Sequence, residues 1–181
     1  FDAVRKEAWP LPVVHDELQH HASGCYAAHS GIKRWNRRAE NALLRAEKWS
    51  AVAALATGLT YPAEAFERAW KNVLFNQFHD ILAGTSLEEA YDDARDLYGE
   101  ALAIADRALN AAVQSLAWSL DIPQIPGAKP VVVFNPQAWG THTEIEMELG
   151  RFPEESILTD DAGEPGPFQR VQPHSPAHGR S

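Results

Sequence analysis

The sequence contains a single cysteine and no long apolar run among its 181 residues. One cysteine, Cys25, excludes an intrachain disulfide and a zinc site built from cysteine ligands. A membrane-spanning helix needs roughly 20 consecutive apolar residues, so we expect no contact with a membrane. Lys and Arg number 16 against 25 Asp and Glu, which gives a formal net charge of −9. Because phosphate binding depends on clustered basic residues, this balance argues against a nucleic-acid partner.

Residues 30–122 carry the periodicity of long amphipathic helices. The first helix is predicted from Ser30 to a stop at Gly58, because apolar residues recur at spacings of three and four. The members of this apolar face are Ile32, Trp35, Ala39, Ala42, Leu43, Ala46, Trp49 and Ala53. A second helix is predicted to start near Pro62, where the missing N–H of proline costs little.

A third helix is predicted to follow the turn at residues 84–86 and to run to about Leu120. Ser86 and Glu89 have the spacing of a capping box at its start. Apolar residues then form a near-heptad seam that includes many alanines, which predicts packing almost parallel or antiparallel to the neighbouring helices. The sequence therefore predicts a mainly α fold, with a three-helix up-down-up bundle over residues 30–122.

The flanking segments are predicted to differ from the bundle. Residues 1–29 read as an ordered loop with large apolar side chains that are expected to be buried, namely Trp9, Leu11, Val13, Val14, Leu18 and Tyr26. Residues 123–181 begin with a linker rich in proline. Residues 130–150 are rich in β-branched residues and partly alternate, which predicts strands at the start of a β domain.

One stretch, residues 75–86, ends an apolar helix on two titratable side chains. If the second helix continues far enough, Asn72, Asn76, His79 and Asp80 form a single polar stripe on it. A histidine beside a carboxylate suits a divalent metal and the hydroxyl groups of a ligand. The alternative is a histidine that caps the C-terminal end of a helix. The residues alone leave both interpretations open.

Asp16 and Glu17 are adjacent carboxylates among apolar residues. One of them could act as a general acid, while the alternative is a solvated acidic pair on a loop. The surrounding "HDELQHH" is not a zinc-protease motif, because that motif needs two histidines four residues apart on a helix. Here His15 and His20 are five residues apart.

Two separated motifs resemble glycoside hydrolase family 38, the α-mannosidases, of the bacterial α-mannosidase and mannosylglycerate hydrolase type. They are "ELQHHASGCYAAHSGIKRWNRRAENALLRAEK" and "FNQFHDILAGTS". A third stretch, "VVVFNPQAW", is similar to the start of that family's C-terminal β domain. The resemblance covers residues 10–150. It implies a middle helical domain at residues 30–122, preceded by the end of a catalytic domain and followed by the start of a β-sandwich domain.

The resemblance also implies roles for individual residues. His79 matches a ligand of Zn²⁺ or a similar divalent cation, and Asp80 matches a residue that contacts the sugar. Glu17 matches the general acid/base, with Asp16 as the alternative, because Asp16 stands where the family often has glycine. Phe78 replaces a histidine of the eukaryotic motif. The family's nucleophilic aspartate and its other metal ligands have no match in this sequence.

These matches predict part of a retaining, metal-dependent enzyme that hydrolyses α-mannosidic bonds. Its partners would be a mannoside substrate and the rest of a longer parent enzyme, and an oligomer is possible. The chain alone is expected to be inactive, because it lacks the nucleophile. A cytoplasmic bacterial location is expected from the single cysteine and the absence of a signal peptide. The alternatives are a non-catalytic helical interaction module and a hydrolase of another glycan specificity.

Overall fold

Helices dominate the computed structural model, which describes residues 2–7, 10, 12–18, 21–147, 153 and 155–171. Five α-helices lie in the described part of the chain: α1 Asp2–Lys6, α2 Ser30–Thr57, α3 Ala63–Phe75, α4 His79–Leu82 and α5 Glu88–Trp118. A short 3-10 helix, Ser23–Tyr26, precedes α2. The three long helices α2, α3 and α5 form the predicted bundle, and this prediction is confirmed.

The core of the bundle consists mainly of small and medium apolar side chains. Helix α2 packs most extensively against α5, and α3 covers the seam between them. The predicted faces are largely the buried ones, with a central cluster of Ile32, Ala39, Leu43, Ala46, Phe66, Ala69, Val73, Ala94, Tyr98, Ala101 and Ala105. The alanines let the helix backbones approach closely, as in other bundles with small residues at the interface.

The ends of α2 and α3 follow local rules. Gly58 caps α2 with a φ of 77°, a left-handed conformation that glycine adopts without steric cost, and its N–H donates to the Ala54 carbonyl. Pro62 immediately precedes α3. Both boundaries were predicted from the residue types, because glycine and proline act on the backbone locally.

The polar stripe predicted from Asn72 to Asp80 is wrong. Helix α3 ends at Phe75, and α4 is a separate single turn that begins at His79. Asn76 is the C-cap of α3 and keeps helical dihedral angles, and from its buried side chain Nδ2 donates to the Ala94 carbonyl at 3.3 Å. The backbone leaves the helical region at Phe78, whose ψ is 140°, so the four polar residues do not share a helix face.

The predicted capping box is also wrong. Leu87 occupies the N-cap position of α5, and no side chain caps it there. The Ser86 N–H instead donates a hydrogen bond to the hydroxyl of Tyr91, a residue of α5, at 2.9 Å. A different local bond, between residues five apart in sequence, thus replaces the predicted cap.

The segment before α2 does not bury the apolar residues that were expected to be inside. Val13, Val14, Leu18 and Tyr26 are exposed, while Trp9 and Leu11 lie outside the described residues. The short helix α1 and the 3-10 turn were not anticipated. Burial requires a neighbouring surface, and the described chain places none over these four side chains.

The predicted strands do not form within the described part of residues 130–150. Residues 130–147 have no strand, and residues 148–150 are outside the described ranges. Strand propensity alone is insufficient, because a strand needs a paired neighbour for its backbone groups. The chain divides into two compact units, residues 1–138 and 139–181. In the first, Phe134 packs edge-on against Trp49 with ring centroids 5.2 Å apart.

The second unit contains a turn at residues 159–165. Thr159 and Pro165 form an isolated antiparallel bridge, and the Asp160 carboxylate accepts backbone N–H groups of Ala162 and Glu164, each at 2.9 Å. Within the described residues of either unit, no helix is both long and apolar enough to cross a membrane.

Candidate functional site

Helix α4 presents His79 and Asp80 to solvent. The His79 side chain is 78% exposed and the Asp80 side chain 57% exposed, and His79 Nε2 lies 3.4 Å from Asp80 Oδ1. Phe78, which precedes α4, places its ring centroid 4.2 Å from that of His79. The structure therefore brings together the predicted metal ligand and the predicted sugar contact on an accessible turn.

Gln77 anchors this turn on its N-terminal side. Its amide nitrogen, Nε2, donates to Asn36 Oδ1 at 3.2 Å and to Glu40 Oε1 at 3.0 Å. Both acceptors belong to α2, so the residue just before Phe78 is tied to a long helix. Both bonds come from one amide group and end on residues one turn apart on α2. They therefore restrict movement of the backbone just before α4 along α2.

The acceptors of Gln77 are themselves held in place. The Tyr98 hydroxyl of α5 donates to Asn36 Oδ1 at 3.1 Å, and Glu40 Oε2 lies 3.0 Å from Arg37 Nη1. Burial, followed by the nearby negative charge of Glu40, raises the pKa of Tyr98 to about 12. Helices α2 and α5 and the turn thus meet in one polar network at this end of the bundle.

Tyr91 anchors the turn on its C-terminal side. Its hydroxyl accepts the Ser86 N–H and donates to the Asp80 carbonyl at 3.5 Å. The Asp80 carbonyl also accepts the Thr85 N–H at 3.3 Å. These bonds use the backbone of Asp80 and leave its carboxylate oriented toward the His79 ring.

Gly84 lets the loop between α4 and α5 approach the segment before α2. Its φ is +80°, and a Cβ at this position would lie 2.6 Å from the Ala28 carbonyl oxygen. The Lys33 ammonium donates to that same carbonyl oxygen. His29 stacks on Tyr91 with ring centroids 4.0 Å apart. Only glycine permits this contact, which fixes the loop against the start of α2.

The side chains of His79 and Asp80 are suitable ligand types for a divalent metal, but two ligands are too few to form a site. Imidazole and carboxylate are both suitable ligands for zinc-like ions. Within the residues that the structure describes, no group of three or more His, Cys, Asp or Glu side chains could hold a metal. A protein zinc site takes at least three protein ligands, so the remaining ligands would have to come from outside the described chain.

Asp16 and Glu17 are exposed on the loop that precedes the 3-10 turn. The Glu17 N–H donates to Asp16 Oδ1 at 2.8 Å, a bond between neighbours in sequence. The choice between these two carboxyls as general acid stays a prediction.

The residues that hold α4 were not identified from the sequence. The sequence motifs assigned no role to Gln77 or to Asn36. A polar residue on a buried face was the available signal in both cases, since such a residue needs an internal partner. The partner is 41 residues away, which a local pattern cannot reveal.

Comparison with known proteins identifies the bundle. A family model described as the alpha mannosidase middle domain matches residues 20–116, more than half of the chain. The chain belongs to this family. The α-mannosidase resemblance of the two sequence motifs is confirmed by this match, and the matched range includes all of α2, α3 and α4 and nearly all of α5.

Relatives of this middle domain are much longer proteins. Mouse "Alpha-mannosidase 2C1" is 30% identical over 118 residues, which cover 65% of this chain and 11% of the mouse protein. The pig "Epididymis-specific alpha-mannosidase" is 30% identical over 152 residues, covering 79% of this chain and 15% of the pig protein. The chain therefore spans a small part of the length of these relatives.

A solved structure shares the fold. It is a protein in the glycosyl hydrolase family 38 from Enterococcus faecalis, with a TM-score of 0.52 and 29% sequence identity over 64% of this chain and 13% of that one. The middle-domain fold and the family agree in sequence and in structure.

Proposed function

We propose that this middle domain forms one wall of the active site in a longer, retaining, divalent-metal-dependent α-mannosidase. The observation that carries the proposal is the exposed His79–Asp80 pair on a turn anchored to α2 and α5. The relatives named as α-mannosidases support the reaction class. Their greater length supports a parent protein in which other segments complete the site.

Different residues of this chain would bind the substrate, hold the metal and transfer the proton. The Asp80 carboxylate would accept hydrogen bonds from hydroxyl groups of the mannose ring, and the His79 imidazole would hold Zn²⁺ or a similar cation. Glu17, with Asp16 as the alternative, would protonate the leaving oxygen and then take a proton from water. When bound, the cation would supply Lewis acidity toward the sugar hydroxyls.

A nucleophilic carboxylate would come from another part of the parent. Retention requires two carboxyl groups about 5 Å apart, one as acid/base and one as nucleophile. This chain provides candidates for the first role only, so we expect no turnover from the chain alone.

The geometry favours this proposal over a helix cap at His79. Residues 76–78 separate His79 from the end of α3, and His79 is the first residue of α4 rather than the last residue of a long helix. A cation stabilises the C-terminal end of a helix, where the carbonyl groups point outward. His79 therefore cannot stabilise the C-terminal end of α3. The alternative of a non-catalytic interaction module explained His79 as such a cap, and this explanation no longer applies.

The test uses the full-length protein and the variants His79→Ala and Asp80→Asn. We expect His79→Ala to lose bound metal, and both variants to hydrolyse 4-nitrophenyl α-mannoside roughly 100-fold more slowly, the upper range for changes around a metal site. Metal content is measured by mass spectrometry. Proton NMR of the first sugar anomer released tests retention separately.

Two exposed positions provide matched controls. His142→Ala removes a histidine from the second unit, and Asp106→Asn removes a carboxylate from the middle of α5. Both should keep full metal content and turnover. Unchanged metal content and turnover in His79→Ala would remove the basis of the proposal.

A further inference from the structure

A serine in the middle of α2 is buried without a hydrogen-bond partner. Ser50 is 1% exposed, and its Oγ bonds to no donor or acceptor within the described chain. Thr57 shows the usual solution for a hydroxyl inside a helix, because its Oγ1 donates to the Ala53 carbonyl at 2.8 Å. Ser50 makes no such bond to α2. Since buried polar groups in folded proteins nearly always have a partner, the unpaired hydroxyl indicates a site for a ligand or for solvent.

Ser50 lines a cavity of about 230 Å³ between α2, α3 and α5. This volume is below the range of about 300–1,000 Å³ that is usual for drug-sized ligands, so the cavity fits a smaller molecule. Ser50 and Ile104 are buried, whereas Thr60, Arg107 and Ala111 are exposed, so the cavity runs from the core of the bundle to its surface. The other lining residues are Leu59, Pro62, Ala65 and Ala108.

The polar side chains that line the cavity can all donate a hydrogen bond, and none is a carboxylate. Ser50 and Thr60 have hydroxyl groups, while the Arg107 guanidinium has donors only. No ion pair within the described residues includes Arg107. A helical partner for its charge would lie three or four residues away, where α5 has no carboxylate but Ala103, Ile104, Asn110 and Ala111. The lining therefore suits a ligand that accepts hydrogen bonds and is negatively charged.

The N-terminal end of α3 borders the same cavity through Pro62 and Ala65. No side chain caps this end, and the N–H groups of Glu64 and Ala65 have no acceptor within the part of the chain that the structure describes. Free amides at the start of a helix favour an anion. The carboxylate of Glu64 is exposed and does not line the cavity. The end of α3 thus favours the same ligand charge as Arg107.

We propose that this cavity binds a short-chain monocarboxylate such as butyrate, with its carboxylate on Ser50 and Arg107. A carboxylate has two oxygen atoms, so it accepts hydrogen bonds from a hydroxyl and from a guanidinium at once. Six of the nine lining residues are apolar, which suits a short alkyl group and disfavours a strongly hydrated ion such as phosphate. None of the lining residues holds the α4 turn, so the inference is independent of the proposed mannosidase chemistry.

The test is a titration of the full-length protein with sodium butyrate, followed by saturation-transfer NMR. We expect binding, and we expect Ser50→Ala and Arg107→Gln each to raise the Kd roughly tenfold, because each removes a hydrogen bond to a charged group. Ala111→Leu places a larger side chain at the exposed mouth of the cavity and should also weaken binding. Butyrate should raise the Tm of the wild type more than that of Ser50→Ala at the same concentration.

Variants and ligands that lack one feature of the site provide the controls. Arg45→Gln removes an exposed cation from α2 and Ala51→Leu enlarges an exposed alanine there, so both should leave the Kd within about twofold. Neutral 1-butanol lacks the charge and phosphate lacks the alkyl group, and each should bind roughly tenfold more weakly than butyrate.

Three results would overturn the inference. An absence of butyrate binding would mean that solvent alone partners Ser50. Equal binding of 1-butanol or phosphate would show that the cavity does not select a monocarboxylate. A Kd unchanged by both Ser50→Ala and Arg107→Gln would place butyrate elsewhere, for example on a bound metal. The hydrolysis and metal content of the His79→Ala protein are measured separately, so the two proposals fail independently.

Discussion

Gln77 shows how a single side chain can set the position of a functional turn. Both of its donated hydrogen bonds end on α2, at Asn36 and Glu40. The residue is polar, lies in the connection between α3 and α4, and is half-buried. An amide is the only neutral side-chain group that donates two hydrogens from one atom. Glutamine is therefore chemically matched to a site with two oxygen acceptors.

Replacement of Gln77 by glutamate tests this match. The variant removes both donors and places a carboxylate against the Glu40 carboxylate, so we expect a loss of about 2–3 kcal/mol in the free energy of unfolding. Urea denaturation measures the change. Adding Glu40→Gln restores a donor opposite the new acceptor and should recover about 1 kcal/mol as a coupling term.

Gln114→Glu is the matched control for this prediction. Gln114 is on α5 and donates to Asn110 in an exposed local bond, so its replacement should change stability by less than about 0.5 kcal/mol. Equal effects at positions 77 and 114 would show that the bonds to α2 contribute little.

At the scale of elements, the bundle and the α4 turn depend on different kinds of contact. Helices α2 and α5 meet through buried alanines along their length, and this packing follows from periodic apolar faces. The turn instead depends on isolated polar bonds and on one backbone approach, Gly84 against Ala28. A substitution at Gly84 would displace both the loop after α4 and the segment before α2, whereas a substitution at a helix cap affects only that helix end.

Gly84→Ala and Gly58→Ala separate these two situations. Both glycines have positive φ, 80° and 77°, but only Gly84 has atoms within 4 Å of an added Cβ. For Gly58→Ala we expect the ordinary left-handed penalty of about 1–2 kcal/mol. Gly84→Ala should cost about 2 kcal/mol more, because the Cβ collides with a backbone carbonyl that cannot rotate away. Urea denaturation of both variants checks the difference, and equal losses would contradict the close approach.

At the scale of the whole molecule, the polar network links cooperative unfolding to pH. Burial and the nearby charge of Glu40 raise the pKa of Tyr98 in the folded chain to about 12, whereas the pKa of an unfolded tyrosine is about 10. Between these values the unfolded state has lost a proton that the folded state retains, so stability falls as pH rises. Below pH 10 the contribution is fully present.

Tyr98→Phe removes this ionisation. The variant should be less stable than the wild type at pH 8 by about 1 kcal/mol, because it loses the hydrogen bond to Asn36. That deficit should shrink and then reverse as pH increases from about 10 to about 12, because the raised pKa removes more stability from the wild type, about 2 kcal/mol, than the hydrogen bond contributes. Denaturant midpoints at a series of pH values measure it, and parallel curves for the two proteins would rule out the raised pKa.

The sequence by itself determined the helical bundle and its family. The limits of α2 follow from a run of apolar residues ending at Gly58, and the start of α3 follows from Pro62. These features are local, since helix periodicity and caps depend on residues within four or five positions. The His79–Asp80 pair was also identified from local sequence, although its roles in metal and sugar binding stay proposals.

Tertiary structure alone decided how that pair is presented. The α4 turn is tied to α2 by Gln77, and Asn76 at the end of α3 is bonded to α5. The strands predicted within residues 130–150 require partners that the described chain does not provide. Each of these outcomes is set by contacts between residues far apart in sequence. A local pattern specifies which residues can form a helix, but the free energy of long-range polar bonds and strand pairing is realised only after the segments meet.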